Sequence, residues 1–325
     1  MDPLSEVLKA FRLDGAVYLS ANFTAPWCVE AKFGLQTASE RLPRSDHVVY
    51  FHVLTDGRCR SRLADGEEVL EVETGDVLLF PHDDLHLLGS DLNLPSVNQE
   101  PITEFRPGSG LVQMRHGGGG EATRFVCGYL ACDRRICRPL LGALPRLLRV
   151  SLRSEDERGW LLQLLDVGLQ ESISESPGAR SMLAKLSELL FVEAMRRYAA
   201  SLPPEQKGWL AGLRDPYVGR TLALMHGDPA RPWTVDDLAR EVALSRSALA
   251  ERFVDLIGEP PMQYLTGWRL ALAAQALRAG NEPIVRIAER CGYESEAAFN
   301  RAFKREFGSP PAAWRKQGDD ADPIR

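Results

Sequence analysis

Residues 238–261 read LAREVALSRSALAERFVDLIGEPP and residues 287–311 read IAERCGYESEAAFNRAFKREFGSPP. The two stretches are versions of each other. Ala239 matches Ala288 at an offset of 49. After one inserted residue, Ser245, Ala248, Phe253, Gly258, Pro260 and Pro261 match Ser295, Ala298, Phe303, Gly308, Pro310 and Pro311 at an offset of 50. Seven identities in fixed register mark an internal duplication.

Each copy predicts helix, tight turn, helix. A small Ala in the first helix lets the second pack closely across it. Gly292 supplies the backbone freedom a tight turn needs, whereas copy one carries Ala243 there. Ser245 and Ser295 stand where N-caps belong. Gly258 before Pro260, and Gly308 before Pro310, are stop signals. Thr234 with Asp237 has the pattern of a capping box opening copy one. Between the copies, MQYLTGWRLALAAQALRAG predicts a helix of roughly 19 residues, about 28 Å long. A rod of that length separates two helix-turn-helix units so that both reach successive major grooves, which lie about 34 Å apart on a duplex.

This last third resembles the DNA-binding domain of the AraC/XylS family of bacterial transcription regulators. Copy two, with its GY-x-S-x3-F-x-R-x-FK run, carries the more specific part of that resemblance. The resemblance implies an all-α domain over residues 215–316 with helix-turn-helix units at about 235–257 and 284–307, then a tail at 317–325. Carried over position by position, it implies that the first recognition helix exposes Arg246, Ser247, Ala250 and Glu251. The second exposes Glu296, Ala297, Asn300, Arg301 and Lys304. Arg301 is suited to guanine and Asn300 to adenine, while Arg246, Lys304 and Arg305 suit phosphates. Leu249, Phe253, Phe299, Phe303 and Trp268 read as core. Both recognition helices are nearly neutral, so non-specific affinity is weak and a homodimer is expected.

Upstream the pattern changes. Over residues 1–150, short apolar runs such as GAVYL, HVVYFHVL, EVLEV and GDVLLFP alternate with the turn signals Asp56-Gly57, Asp65-Gly66 and Thr74-Gly75. That spacing predicts a β-sandwich or small barrel. Gly117 to Gly120 predict a loop between strands. The run from Gly75 through Pro81 to His86 is similar to the second cupin motif, with Asp83 replacing its usual glycine. The N-terminal part thus resembles the cupin-type sensor of some AraC-family regulators, which implies effector sensing, dimerisation or both. Residues 151–214 predict a helical connector. In it, Met182, Leu186, Leu189, Val192 and Met195 form either a dimer seam or a cover for the barrel.

A cupin can also be a metalloenzyme, and such enzymes use two histidines one residue apart followed by a glutamate. Here His47 and His52 are five apart and face opposite sides of a strand, and the next glutamate is Glu67. Only His52 and His86 remain as pocket neighbours, short of the three protein ligands a catalytic metal usually has. They read as effector-pocket or hydrogen-bonded core histidines, and no catalytic residue, metal site or cofactor is assigned. Cys127, Cys132 and Cys137 leave three readings open: inert buried thiols, a redox sensor, or a metal site recruiting Cys28. For redox sensing, Cys132 and Cys137 flank an expected turn, with Arg134, Arg135 and Arg138 favouring thiolate.

Composition sets the outer bounds. A chain of 325 residues with 44% apolar and 26% charged residues fits two globular domains, an α+β protein overall. No apolar run approaches the ~20 residues of a membrane span. The acidic start MDPLSEVLKAFRLDG lacks the basic region of a secretion signal. Six cysteines fit reduced thiols, so a cytoplasmic protein is expected. The net charge of −6 hides an asymmetry. Residues 216–316 hold 14 Lys/Arg against 12 Asp/Glu, and the remainder 25 against 33.

These readings converge on a one-component regulator of transcription. Its expected partners are double-stranded DNA, a small-molecule or oxidant effector, a second copy of the chain, and RNA polymerase. The alternatives are a cupin metalloenzyme with a vestigial DNA-binding domain and a non-DNA-binding competitor for dimerisation.

Overall fold

The computed structural model describes residues 4–5, 14–32, 47–98, 103–104, 111–153, 159–174, 176–203 and 205–319. Two compact units emerge. One holds the described residues of 13–132 and 144–200; the other holds 133–143 and those of 201–319. The two long helices of the expected connector therefore belong with the sheets, and residues 201–214 with the helical unit.

The sheet unit contains β1 (Asp14–Thr24), β2 (Cys28–Ala31), β3 (His47–Asp56), β4 (Arg58–Leu63), β5 (Leu70–Glu73), β6 (Asp76–Phe80), β7 (His86–Gly89), β8 (Val97–Asn98), β9 (Thr103–Glu104), β10 (Val112–Gly117), β11 (Ala122–Cys132) and β12 (Leu148–Ser151). They form a seven-stranded sheet, β12-β6-β3-β11-β1-β10-β9, and a five-stranded sheet, β5-β4-β7-β2-β8. Asp65-Gly66 lies in the connection between antiparallel β4 and β5. Asp56-Gly57 and Thr74-Gly75 instead carry the chain from one sheet to the other. The two inner faces share a core that includes Phe23, Trp27, Tyr50, Phe80 and Phe125.

Alternation along β1 and β11 sends Leu19, Ala21, Phe23, Phe125, Cys127 and Tyr129 inward. The outer face is covered by α2 (Trp160–Ile173) and α3 (Ala179–Ser201). The fit is tight: a Cβ on Gly15 would lie 2.4 Å from Ser187 Oγ, and one on Gly168 2.9 Å from Leu183. Leu186 and Met195 of α3 are buried and Leu189 is exposed.

The helical unit opens with α1 (Arg134–Leu141), where the sequence suggested a turn between Cys132 and Cys137. Cys137, Leu140 and Leu141 recur at i, i+3 and i+4 and are all buried, so an amphipathic helix forms in place of the expected turn, with Pro139 inside it. The unit continues with α4 (Trp209–Arg214), α5 (Pro216–Gly227), α6 (Val235–Glu241), α7 (Arg246–Ile257), α8 (Pro261–Ala279), α9 (Ile284–Arg290), α10 (Glu296–Phe307) and α11 (Pro311–Asp319). Helix α1 packs on α8. Beside it, Arg278 of α8 pairs with Asp133 and lies 4.6 Å over the Trp314 ring.

The duplication is two helix-turn-helix units, α6–α7 and α9–α10, joined by α8 of 19 residues. The Thr234–Asp237 capping box is present. Gly258 and Gly308 close α7 and α10 as left-handed C-caps. Gly292 turns at φ +76°, and Ala243 takes the same left-handed turn at φ +55°. Among the described residues, the only other non-glycine with positive φ is Asp83, at +54°, the position where the cupin motif normally has glycine. Both departures thus keep the glycine conformation with a side chain that resists it.

Ala243→Gly is therefore expected to stabilise the helical unit by up to about 1 kcal/mol. Gly292→Ala should destabilise it by more, because its Cβ would also sit 2.8 Å from the Ala230 carbonyl oxygen. Chemical denaturation of the full chain measures both, and a destabilised Ala243→Gly would overturn the account.

Candidate functional site

In α7, Leu249 and Phe253 are fully buried; in α10, Phe299 and Phe303 are. The opposite faces look outward. Ser245 Oγ accepts from the Ala248 amide and Ser295 Oγ from that of Ala298, each at 3.2 Å, so both recognition helices begin capped. Glu296, Ala297, Arg301, Lys304 and Arg305 are exposed and Asn300 half-buried. On the first helix Arg246, Ser247 and Glu251 are exposed and Ala250 half-buried.

The two copies differ in the state of their cations. Arg246 pairs with Asp236 at 3.3 Å, and the Arg252 Nε donates to Asp215 at 2.8 Å. Arg301, Lys304 and Arg305 have no ion pair among the described residues, which leaves the second helix's charge uncommitted. Lys304 and Arg305 stand in its last turn, where the helix dipole favours cations.

The barrel interior holds the other predicted constellation. Cys127 on β11 is the register partner of His52 on β3, and β7 brings in His86. His52 Nδ1 lies 2.8 Å from Cys127 Sγ, and its Nε2 lies 2.8 Å from His86 Nε2. His86 Nδ1 lies 2.8 Å from the Asp84 carbonyl oxygen. A carbonyl only accepts, so His86 must carry its proton on Nδ1 and offer a bare Nε2. His52 then donates from Nε2, and the Cys127 thiol donates to its Nδ1. Each bond has one donor and one acceptor, and both rings are neutral. Burial holds both imidazoles well below their ordinary range, His86 down to about 4. His86 also stacks on Phe80 with centroids 3.5 Å apart.

The cavity beside this relay has a volume of about 10 Å³, room for about one water. His47 turns away to the Pro81 carbonyl at 2.6 Å. Among the described residues no three His, Cys, Asp or Glu side chains converge as a metal site. Cys127, Cys132 and Cys137 are all buried, and burial pushes the Cys127 and Cys59 thiols up, away from thiolate. The sequence paired the two histidines; it did not pair Cys127 with them, although β-strand alternation on 127 and 129 carried that signal.

The relay fixes a pH window. An imidazole held below its unfolded value contributes stability that is complete above about pH 6.5 and lost as pH falls towards 4. The melting temperature should drop through that window, and the His52 and His86 ring resonances should stay neutral down to pH 5. Ring resonances titrating near 6.5 would show that the relay is not buried as described.

Comparison with known proteins follows this division. A family profile described as "Cupin" matches residues 2–200, and one described as "Helix-turn-helix domain" matches residues 238–317. An AraC-like transcription regulator of Streptomyces lividans is 33% identical over 97% of this chain and 98% of its own. The RCS-specific HTH-type transcriptional activator RclR of Escherichia coli is 31% identical over 83% of this chain and 85% of its own. Among solved structures, the DNA-binding domain of AdpA in complex with a target DNA is 30% identical, covering 34% of this chain and 99% of that one, with a TM-score of 0.33. No described helix is long and apolar enough to cross a membrane. With a cupin domain followed by a duplicated helix-turn-helix, and a 33% identical relative matched over 97% of this chain, the chain belongs to the AraC-like transcription regulators.

Proposed function

We propose that the chain regulates transcription in the cytoplasm, without catalysis, by binding specific double-stranded DNA as a homodimer, with the cupin unit sensing an effector. The observation that carries this reading is the pair of capped recognition helices on one rigid 19-residue helix, the second with three uncommitted cations. Arg301 reads guanine and Asn300 adenine from α10, while Lys304, Arg305 and Arg246 hold phosphates. Ser247, Ala250, Glu251, Glu296 and Ala297 complete the surfaces facing the bases.

Dimerisation is assigned to α2. Trp160, Leu164 and Val167 recur at i, i+4 and i+7 and remain 56%, 43% and 52% exposed. A stripe of large apolar side chains on one helical face suits a second copy of itself. The half-sites of a dimer explain how a nearly neutral DNA-binding surface gains affinity. Burial of Cys127 and Cys132 in the cupin unit and of Cys137 in the helical unit favours the inert-thiol reading over an oxidant switch.

Two measurements test this. Against a duplex selected from random sequence, Arg301→Ala should cost about 1–3 kcal/mol and relax preference at one base pair, whereas Lys304→Ala should weaken all sequences alike and lower the salt slope by about one. Unchanged affinity and preference in Arg301→Ala would remove the recognition assignment. Leu164→Asp with Val167→Asp should convert the dimer to monomer in sedimentation, and a dimer that survives would place the seam elsewhere.

A further inference from the structure

The proposed effector needs a place, and the barrel interior is filled: its cavity is about 10 Å³. A larger space lies outside the barrel, within the same unit. A cleft of about 500 Å³ opens on the outer face of the seven-stranded sheet, roofed by Asp166, Leu169 and Gln170 of α2. That volume is in the range of small-molecule sites.

Strand register decides what its floor presents. Asn22 on β1 pairs with Arg115 on β10 and with Arg124 on β11, and Arg124 pairs with Asp56 on β3. Leu19, Ala21 and Phe23 point into the core, so Asn22 points out, and the same alternation turns out Arg115 and Arg124. A register shift between Arg124 and Phe125 interrupts the alternation opposite Asp56. One row across four strands therefore reads cation, amide, cation, acid. Ser20 and Gln113 add a hydroxyl and an amide in the row beside it.

Two guanidinium groups of this row are poorly satisfied within the protein. Arg115 meets only the Gln113 amide oxygen among the described residues, at 3.4 Å, and Arg124 reaches Asp56 at no better than 3.9 Å with both side chains half exposed or more. A planar guanidinium beside an amide suits a carboxylate. The acid at Asp56 suits an ammonium. A simple anion satisfies the first end and is opposed by the second.

We propose that this cleft binds a small zwitterionic amino acid, its carboxylate at Arg115 and Asn22 and its ammonium at the Asp56 end. The proposal deepens the effector-sensing reading and rests on it for its regulatory consequence. Leu169 and Asp166 line the cleft from one side of α2, while Trp160, Leu164 and Val167 of the assigned dimer seam occupy another. A ligand that ties α2 to the sheet acts on the helix that carries that seam.

The test is calorimetric binding to the full-length chain, with the twenty standard amino acids and ω-amino acids of four to six carbons as probes. At least one should bind with a Kd of about 1 mM or tighter. Arg115→Gln should weaken it about tenfold or more, and Asp56→Asn should weaken it while sparing the analogue that lacks the amine. Circular dichroism confirms that both variants remain folded. Absence of binding by every probe, binding unchanged in both variants, or equal binding of inorganic phosphate would each overturn the site. DNA affinity is measured separately. If a probe binds at the cleft and no duplex is ever bound, the regulator reading falls and the site stands. If DNA binds and no probe does, the reverse holds.

Discussion

The helical unit depends on one rigid body, α8. Its N-terminal half packs on the first helix-turn-helix unit, where Tyr264 meets Phe253 edge-on at 5.8 Å and accepts a hydrogen bond from Trp209 Nε1 at 2.8 Å. Its C-terminal half buries Leu270, Ala273, Ala274 and Leu277 in the core that also holds Phe299 and Phe303. Because one uninterrupted hydrogen-bonded helix serves both cores, the spacing of the two recognition helices is set by rise per residue rather than by a hinge. A break in α8 would leave two small folded units with no fixed register on DNA.

In the sheet unit the comparable constraint is the place of β11 between β1 and β3. Its inward residues fill the barrel and supply the Cys127 end of a neutral relay. Its outward residues supply Arg124 to a polar row. The relay consumes every polar hydrogen it contains, which is how two imidazoles and a thiol are tolerated in an apolar core.

Much of this was legible in order. The duplication was readable because a turn must be marked by a residue of special backbone geometry, and caps and stops by residues with particular hydrogen-bonding groups; Ser245, Ser295, Gly258 and Gly308 each fill such a position. Ala243 and Asp83 show the limit of that reading. Each lacks the expected glycine and still takes its left-handed conformation, because the surrounding structure imposes it. The stretch after Cys132 misled in the opposite way: a turn is expected between Cys132 and Cys137, and the burial of Cys137, Leu140 and Leu141 makes a helix.

The sequence by itself determined the two-part architecture and the two helix-turn-helix units. These follow from local signals: periodicity, capping chemistry and motif spacing act within a few residues. Tertiary structure alone decided that Cys127 joins the two histidines, that among the described residues Arg246 has an ion pair while Arg301 has none, and that Arg115, Asn22, Arg124 and Asp56 share one row. Each of those facts depends on strand register or helix packing between residues far apart in the chain. A one-residue slip in strand register would turn Cys127 and the side chains of that row to the other face.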